Sequence, residues 1–107
     1  MTKQRALSMT AMAVLNAIAA EYRYGFDIMD VTGLPSGTVY PALSRLERDG
    51  LLTFSWEDAE IAQDDKRPPR KYYEVTKAGR DALDESMRRY EALQHIEPAT
   101  RRARVKG

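Results

Sequence analysis

Apolar residues recur along this chain first with a helical rhythm, then with a strand-like one, then with a helical one again. From Ser8 to about Tyr22, Met12, Leu15, Ile18 and Ala19 fall three and four apart, as one face of a helix requires. That spacing predicts a first helix with Ser8 as its cap. Tyr24 to Val31 predicts a short second helix bearing Phe26, Ile28, Met29 and Val31. Thr32-Gly33-Leu34-Pro35-Ser36-Gly37 then interrupts the pattern with turn-forming residues. Beyond the turn, Val39, Leu43 and Leu46 share one face of a third helix, for which Ser36 is the expected cap and Gly50 the expected stop. Pro41 is expected near the end of its first turn, at the cost of one backbone hydrogen bond.

The pattern changes at Leu51. Leu51 to Trp56 and Lys71 to Val75 are rich in branched and aromatic residues and predict two strands, joined by a charged loop of roughly fourteen residues. Thr76 is the expected cap of a long final helix running through Leu83, Met87, Tyr90 and Leu93 to about Glu97, where Pro98 halts it. The fold class expected is mainly α with a small β-hairpin, a winged helix-turn-helix followed by a long C-terminal helix. Residues 1–76 form the expected winged helix-turn-helix unit, 77–97 a separate long helix and 98–107 a basic, flexible tail.

At 107 residues, 43% hydrophobic and 31% charged, the chain is the size of one globular domain with one modest core. It has no cysteine, which excludes disulfides, thiolate metal sites and cysteine nucleophiles. No run approaches the ~18 apolar residues of a membrane span, and the expected compartment is the cytoplasm. The net charge of +1 says nothing for a nucleic-acid partner, but its distribution does. Glu57, Asp58, Glu60, Asp64 and Asp65 precede a basic run of Lys66, Arg67, Arg70 and Lys71 around Pro68 and Pro69, and the tail adds Arg101, Arg102, Arg104 and Lys106. A local basic cluster can contact phosphates on a nearly neutral chain.

A helix-turn-helix places its second helix in the major groove, where base edges are read by hydrogen bonds. Thr38, Tyr40, Ser44 and Arg45 are the candidates on that helix. A solvated helix face in a fold unrelated to DNA is the bland alternative. Lys66, Arg67, Arg70 and Lys71 are candidate wing contacts to phosphates or the minor groove. Leu83, Met87, Tyr90 and Leu93 form an apolar stripe about 15 Å long; it predicts self-association, with Met12 and Leu15 of the first helix, beside Met9, completing the interface. Trp56 is expected to pack on the domain. His95 is the sole histidine and predicts no metal site. Asp58 with Glu60, and Asp81 with Glu85, lie in highly charged, exposed stretches with no apolar pocket to shift a pKa, so neither pair suggests catalysis; no cofactor is expected.

Several separate runs together resemble the signature of PadR-type regulators. They are Tyr24-Gly25-Phe26-Asp27-Ile28, Ser36-Gly37-Thr38-Val39-Tyr40-Pro41-Ala42-Leu43, Arg45-Leu46-Glu47 with Gly50-Leu51-Leu52, Pro69-Arg70-Lys71-Tyr72-Tyr73 and Val75-Thr76-Lys77-Ala78-Gly79-Arg80. The resemblance implies a winged helix with a C-terminal dimerisation helix and operator binding, usually as a repressor. It would give Tyr24 a contact to the DNA backbone, Thr38, Tyr40, Pro41 and Ser44 contacts in the groove, and the basic wing the flanking DNA. The chain departs from the pattern in a shorter second helix and turn and in the acidic stretch before the wing. Two alternatives stay open: a winged-helix module that pairs with proteins, and a sensor whose small-molecule effector binds at the dimer interface.

Overall fold

A computed structural model describes residues 6–99. The basic residues expected to form the tail, Arg101, Arg102, Arg104 and Lys106, lie outside the described residues. Helix α1, Met9–Ala19, starts where the Ser8 hydroxyl accepts the Ala11 N–H at 3.1 Å. It ends before Tyr22 because the chain reverses through Glu21, whose φ of 76° is left-handed. Helix α2, Gly25–Thr32, ends at Gly33 with φ 75°, a conformation glycine adopts at little cost.

Helix α3, Ser36–Arg48, departs from expectation at its start. Pro35 occupies the cap position, no side chain caps the helix, and Ser36 is already the first helical residue. Pro41 consequently lies inside the second turn rather than at the end of the first; its ring is exposed, so the helix continues past it with one backbone donor missing. Gly50, at φ 78°, ends the helical path as expected.

Strands β1, Leu52–Trp56, and β2, Lys71–Val75, pair antiparallel with Leu52 opposite Val75 and Trp56 opposite Lys71. The connection between them is not the plain loop expected. It contains a short helix, α4, Ala59–Asp64, capped by Asp58, whose carboxylate accepts the Glu60 N–H at 2.7 Å. Ala62 is buried, which gives this excursion an anchor of its own. The final helix α5, Lys77–Gln94, is capped by Thr76 as expected but stops short of Glu97, with His95 at its C-cap.

The core lies around α1, with Val14, Leu15, Ile28, Val39 and Leu43 fully buried. The first half of α5 joins it through Ala82 and Leu83. This corrects part of the expected dimer interface: Met12, Leu15 and Leu83 are covered within one subunit, and Leu15 at 0% exposure has no surface left to offer a partner. The wing is rooted where α5 meets Leu51. The Thr76 hydroxyl donates to the Gly50 carbonyl at 2.7 Å, and a Cβ at Gly79 would collide with the Leu51 carbonyl oxygen and approach Val75 Cγ1 to 2.9 Å.

Candidate nucleic-acid interface

On α3 the apolar side faces the core, so Tyr40, Pro41, Ser44 and Arg45 are turned outward, with Thr38 half-buried beside them. None of the Tyr40, Ser44 or Arg45 side chains forms a hydrogen bond or ion pair with another described residue, so their polar groups are available to a partner. Tyr40 is placed by its neighbour on α2. Its ring lies across Gly25, where a Cβ would come within 2.7 Å of Tyr40 Cε1. The absence of a side chain at Gly25 therefore lets the middle of α3 lie against the start of α2, next to Tyr24.

Tyr24 in turn meets the wing. The Arg70 guanidinium lies 4.1 Å from the centre of the Tyr24 ring, a cation–π distance, and Tyr72 approaches Tyr24 edge-on at 5.7 Å. Arg23 fastens the same corner. Its carbonyl accepts the Tyr73 N–H at 2.8 Å, and its Nε donates to the Tyr73 carbonyl at 3.0 Å, so the α1–α2 connection pairs with β2 almost as a third strand. Tyr24, Tyr40 and Arg70, distant in sequence, thus belong to one continuous corner.

The other wing cations are held differently. Arg67 makes a two-pronged bond to Glu57, at 2.6 and 2.8 Å, and a further bond to Asp65 at 3.2 Å. Glu57 also accepts the Arg70 backbone N–H at 3.1 Å. The bond from Arg67 holds the Glu57 carboxyl well below its ordinary 4.5, at about 2, with the Arg70 N–H adding to the effect and partial burial opposing it. Lys71 Nζ lies 3.4 Å from Glu47 of α3 and 3.9 Å from the centre of the Phe54 ring. Lys66, exposed and in a left-handed turn with φ 57°, is the one cation of this run without an ion-pair or aromatic partner among the described residues. The run that reads as four presented bases is therefore three engaged cations and one open one.

Trp56 is not packed on the domain as expected: it is 63% exposed, edge-on to Phe54 at 6.2 Å. It lies past the end of the buried part of β1, whose first residue alone is covered. Sequence reasoning missed Arg23, Glu47 and Glu57, because their partners lie 50, 24 and 10 residues away across loop closures that no periodicity reveals. Along α5, Met87 and Leu93 are exposed and Tyr90 is half-buried. Among the described residues no group of His, Asp or Glu is placed to hold a metal ion, and no helix is long and apolar enough to cross a membrane.

Comparison with known proteins agrees with this geometry. Residues 14–85 match the transcriptional regulator PadR-like family, well over half of the chain. A PadR-like transcription factor from Bacteroides fragilis is similar at 29% identity and a TM-score of 0.68, over 80% of this chain and 84% of that one. A PadR family regulator from Clostridium difficile shares the fold at 22% identity and a TM-score of 0.71, over 81% and 92%. The PcaV regulator from Streptomyces coelicolor, solved with its natural ligand, does so at 24% identity and a TM-score of 0.70, over 85% of this chain and 60% of that one. Comparison with curated protein sequences returned no significant match. With residues 14–85 matched and a helix-turn-helix, a hairpin and a long last helix in sequence, the chain belongs to the PadR-like family of transcriptional regulators, a family of regulators and not of enzymes.

Proposed function

We propose that the chain binds double-stranded DNA in the cytoplasm as a homodimer and represses transcription from a pseudo-palindromic operator. The observation that carries this reading is the outward face of α3, where Tyr40, Ser44 and Arg45 stand unpaired beside the Tyr24–Arg70 corner. Such a face, set in a helix-turn-helix, fits the major groove, with Thr38, Tyr40, Pro41, Ser44 and Arg45 meeting base edges and nearby phosphates. Tyr24, Lys66, Arg70 and Lys71 serve the flanking backbone. Arg67, enclosed by Glu57 and Asp65, holds the wing together rather than reaching DNA.

In this reading residues up to 76 read DNA and 77–97 join the two subunits. The interface is the exposed Met87 and Leu93 of α5, with the outer edge of the half-buried Tyr90 between them, and the exposed Met9, a surface whose burial against a second copy removes apolar area from water. A small-molecule effector belongs to the same proposal, supported by the ligand-bound PcaV relative.

Binding to duplexes from the chain's own promoter and to scrambled duplexes, as salt is raised, tests the reading. Retained preference for the promoter supports it, and no salt-sensitive duplex binding at all would leave a protein-pairing module instead. Met87→Asp combined with Leu93→Asp should leave the fold intact, because both side chains are exposed, while giving monomers in sedimentation and abolishing binding to a two-half-site operator. A persistent dimer would remove α5 from the interface.

A further inference from the structure

The acidic stretch of the wing contains two kinds of carboxylate. The carboxylates of Glu60 and Asp64 stand exposed on α4 and bond to no other described residue. Glu57 is different: its side chain is only 8% exposed, and its N–H and both carboxylate oxygens are used. One carboxylate oxygen accepts both Arg67 Nη1 at 2.6 Å and the Arg70 N–H at 3.1 Å, and the other accepts Arg67 Nη2 at 2.8 Å. The Glu57 N–H donates to the Arg70 carbonyl at 2.8 Å. Glu57 and Arg70 therefore continue the hairpin one pair beyond Trp56 and Lys71. Arg67 closes the excursion from the other side, its N–H donating to the Ala62 carbonyl at 3.1 Å.

We propose that Glu57 is a positioning residue for DNA binding, an acid that favours attachment to the duplex by fixing Arg70 over Tyr24. The proposal rests on the DNA-binding reading above. A negative charge close to phosphates opposes binding by Coulomb repulsion, but here that charge is matched by Arg67 and shielded by a bidentate pair. What remains is mechanical. With both backbone groups of Arg70 held by Glu57, its guanidinium is delivered to the Tyr24 ring at 4.1 Å, at the corner where the start of α2, the middle of α3 and the wing converge. Without the Glu57 carboxylate only the backbone bond from residue 57 to the Arg70 carbonyl still ties the two chain ends of the α4 excursion, and Arg67 gains a free charge. Arg70 then has to be ordered at the moment of binding, which lowers affinity.

This makes the sign of a charge substitution diagnostic. Removing exposed acid with Glu60→Gln plus Asp64→Asn should tighten duplex binding and leave the fold unchanged, because repulsion is relieved and nothing else is lost. Glu57→Gln removes the same kind of charge from the same stretch, yet should weaken operator binding about fivefold, with a shallower dependence on salt as the Arg70 contact is lost. A merely structural role would lower the melting temperature without that pattern, so the decisive measurement is the double variant. In an Arg70→Ala background, Glu57→Gln should cost no further affinity, while its effect on thermal stability persists. Tighter binding by Glu57→Gln, or an undiminished loss in the Arg70→Ala background, would overturn the proposal. Failure of the unaltered protein to bind any duplex would instead overturn the DNA-binding reading on which it rests, and the two failures are read from different samples.

Discussion

Arg45 on α3 and Arg67 in the wing are the same side chain in opposite circumstances. Arg45 is exposed on a helix whose other side is fixed by Val39, Leu43 and Leu46, so its position costs nothing beyond the core that already exists. Arg67 sits on an excursion with little core of its own and is held by Glu57 and Asp65. The comparison extends to whole regions. The helix-turn-helix is shaped by apolar burial and leaves Tyr40, Ser44 and Arg45 free, whereas the wing, short of apolar anchors, uses its charges to hold itself in shape. A basic run in a sequence is therefore not a measure of the positive charge a surface presents.

The sharpest way to break this comparison is at the root of the wing. At Gly79, α5 approaches Leu51 so closely that even a methyl group meets the Leu51 carbonyl oxygen, a backbone atom that cannot rotate away. Gly79→Ala should lower folding stability by about 2–3 kcal/mol in urea denaturation, through the displacement of packed backbone. An unchanged denaturation midpoint would mean that β1 is not rigidly seated and that the wing is less fixed than α3.

A second pair of substitutions compares the regions directly on DNA. Arg45→Ala should cost ~1–3 kcal/mol on the operator and little on scrambled duplex, as a base-reading contact does. Lys71→Ala should cost less, about 0.5–1 kcal/mol, on both duplexes alike and should reduce the salt slope by about one, as a phosphate contact does. Competition binding at two salt concentrations separates the cases. Equal losses on the two duplexes for Arg45→Ala would remove it from base reading and place it with the wing cations.

The same contrast explains what was legible in the sequence. The strands, the Ser8 and Thr76 caps, the Gly33 and Gly50 stops and the polar face of α3 all follow from local rules, because periodicity and capping act over a few residues. The α4 excursion was not legible, for a six-residue helix in a charged stretch has too few apolar positions to show a rhythm. Met12, Leu15 and Leu83 misled for a different reason. An amphipathic stripe states that a face is buried but not against what, and Ala82, Leu83 and, further along, the half-buried Tyr90 of α5 cover their own domain, while Met87 and Leu93 stay exposed. Trp56 misled in the opposite sense, since a residue at the end of a wing strand is expected to pack on the domain, yet β1 is covered only at its first residue. The ion pairs of the wing depend on how the excursion folds back, and linear spacing carries no signal of that.

The smallest expected effect concerns acid, and it tests whether Glu57 is charged and paired in solution as the comparison requires. Arg67 depresses the Glu57 carboxyl from its ordinary 4.5 to about 2. A carboxyl depressed on folding contributes stability that is fully present above about pH 4.5 and is lost as the pH falls through about 2, because the unfolded chain takes up the proton first. Glu85 is also depressed, by Arg88 and then Arg89, but that pair is exposed and screened by salt. In high salt the unaltered protein should therefore lose stability between about pH 4.5 and 2 more steeply than Glu57→Gln, which starts less stable at neutral pH and converges with it near the acid end. Urea midpoints across that range give the two curves. Parallel curves would mean that Glu57 does not hold Arg67 in solution, and Arg67 would then be as available to a duplex as Arg45.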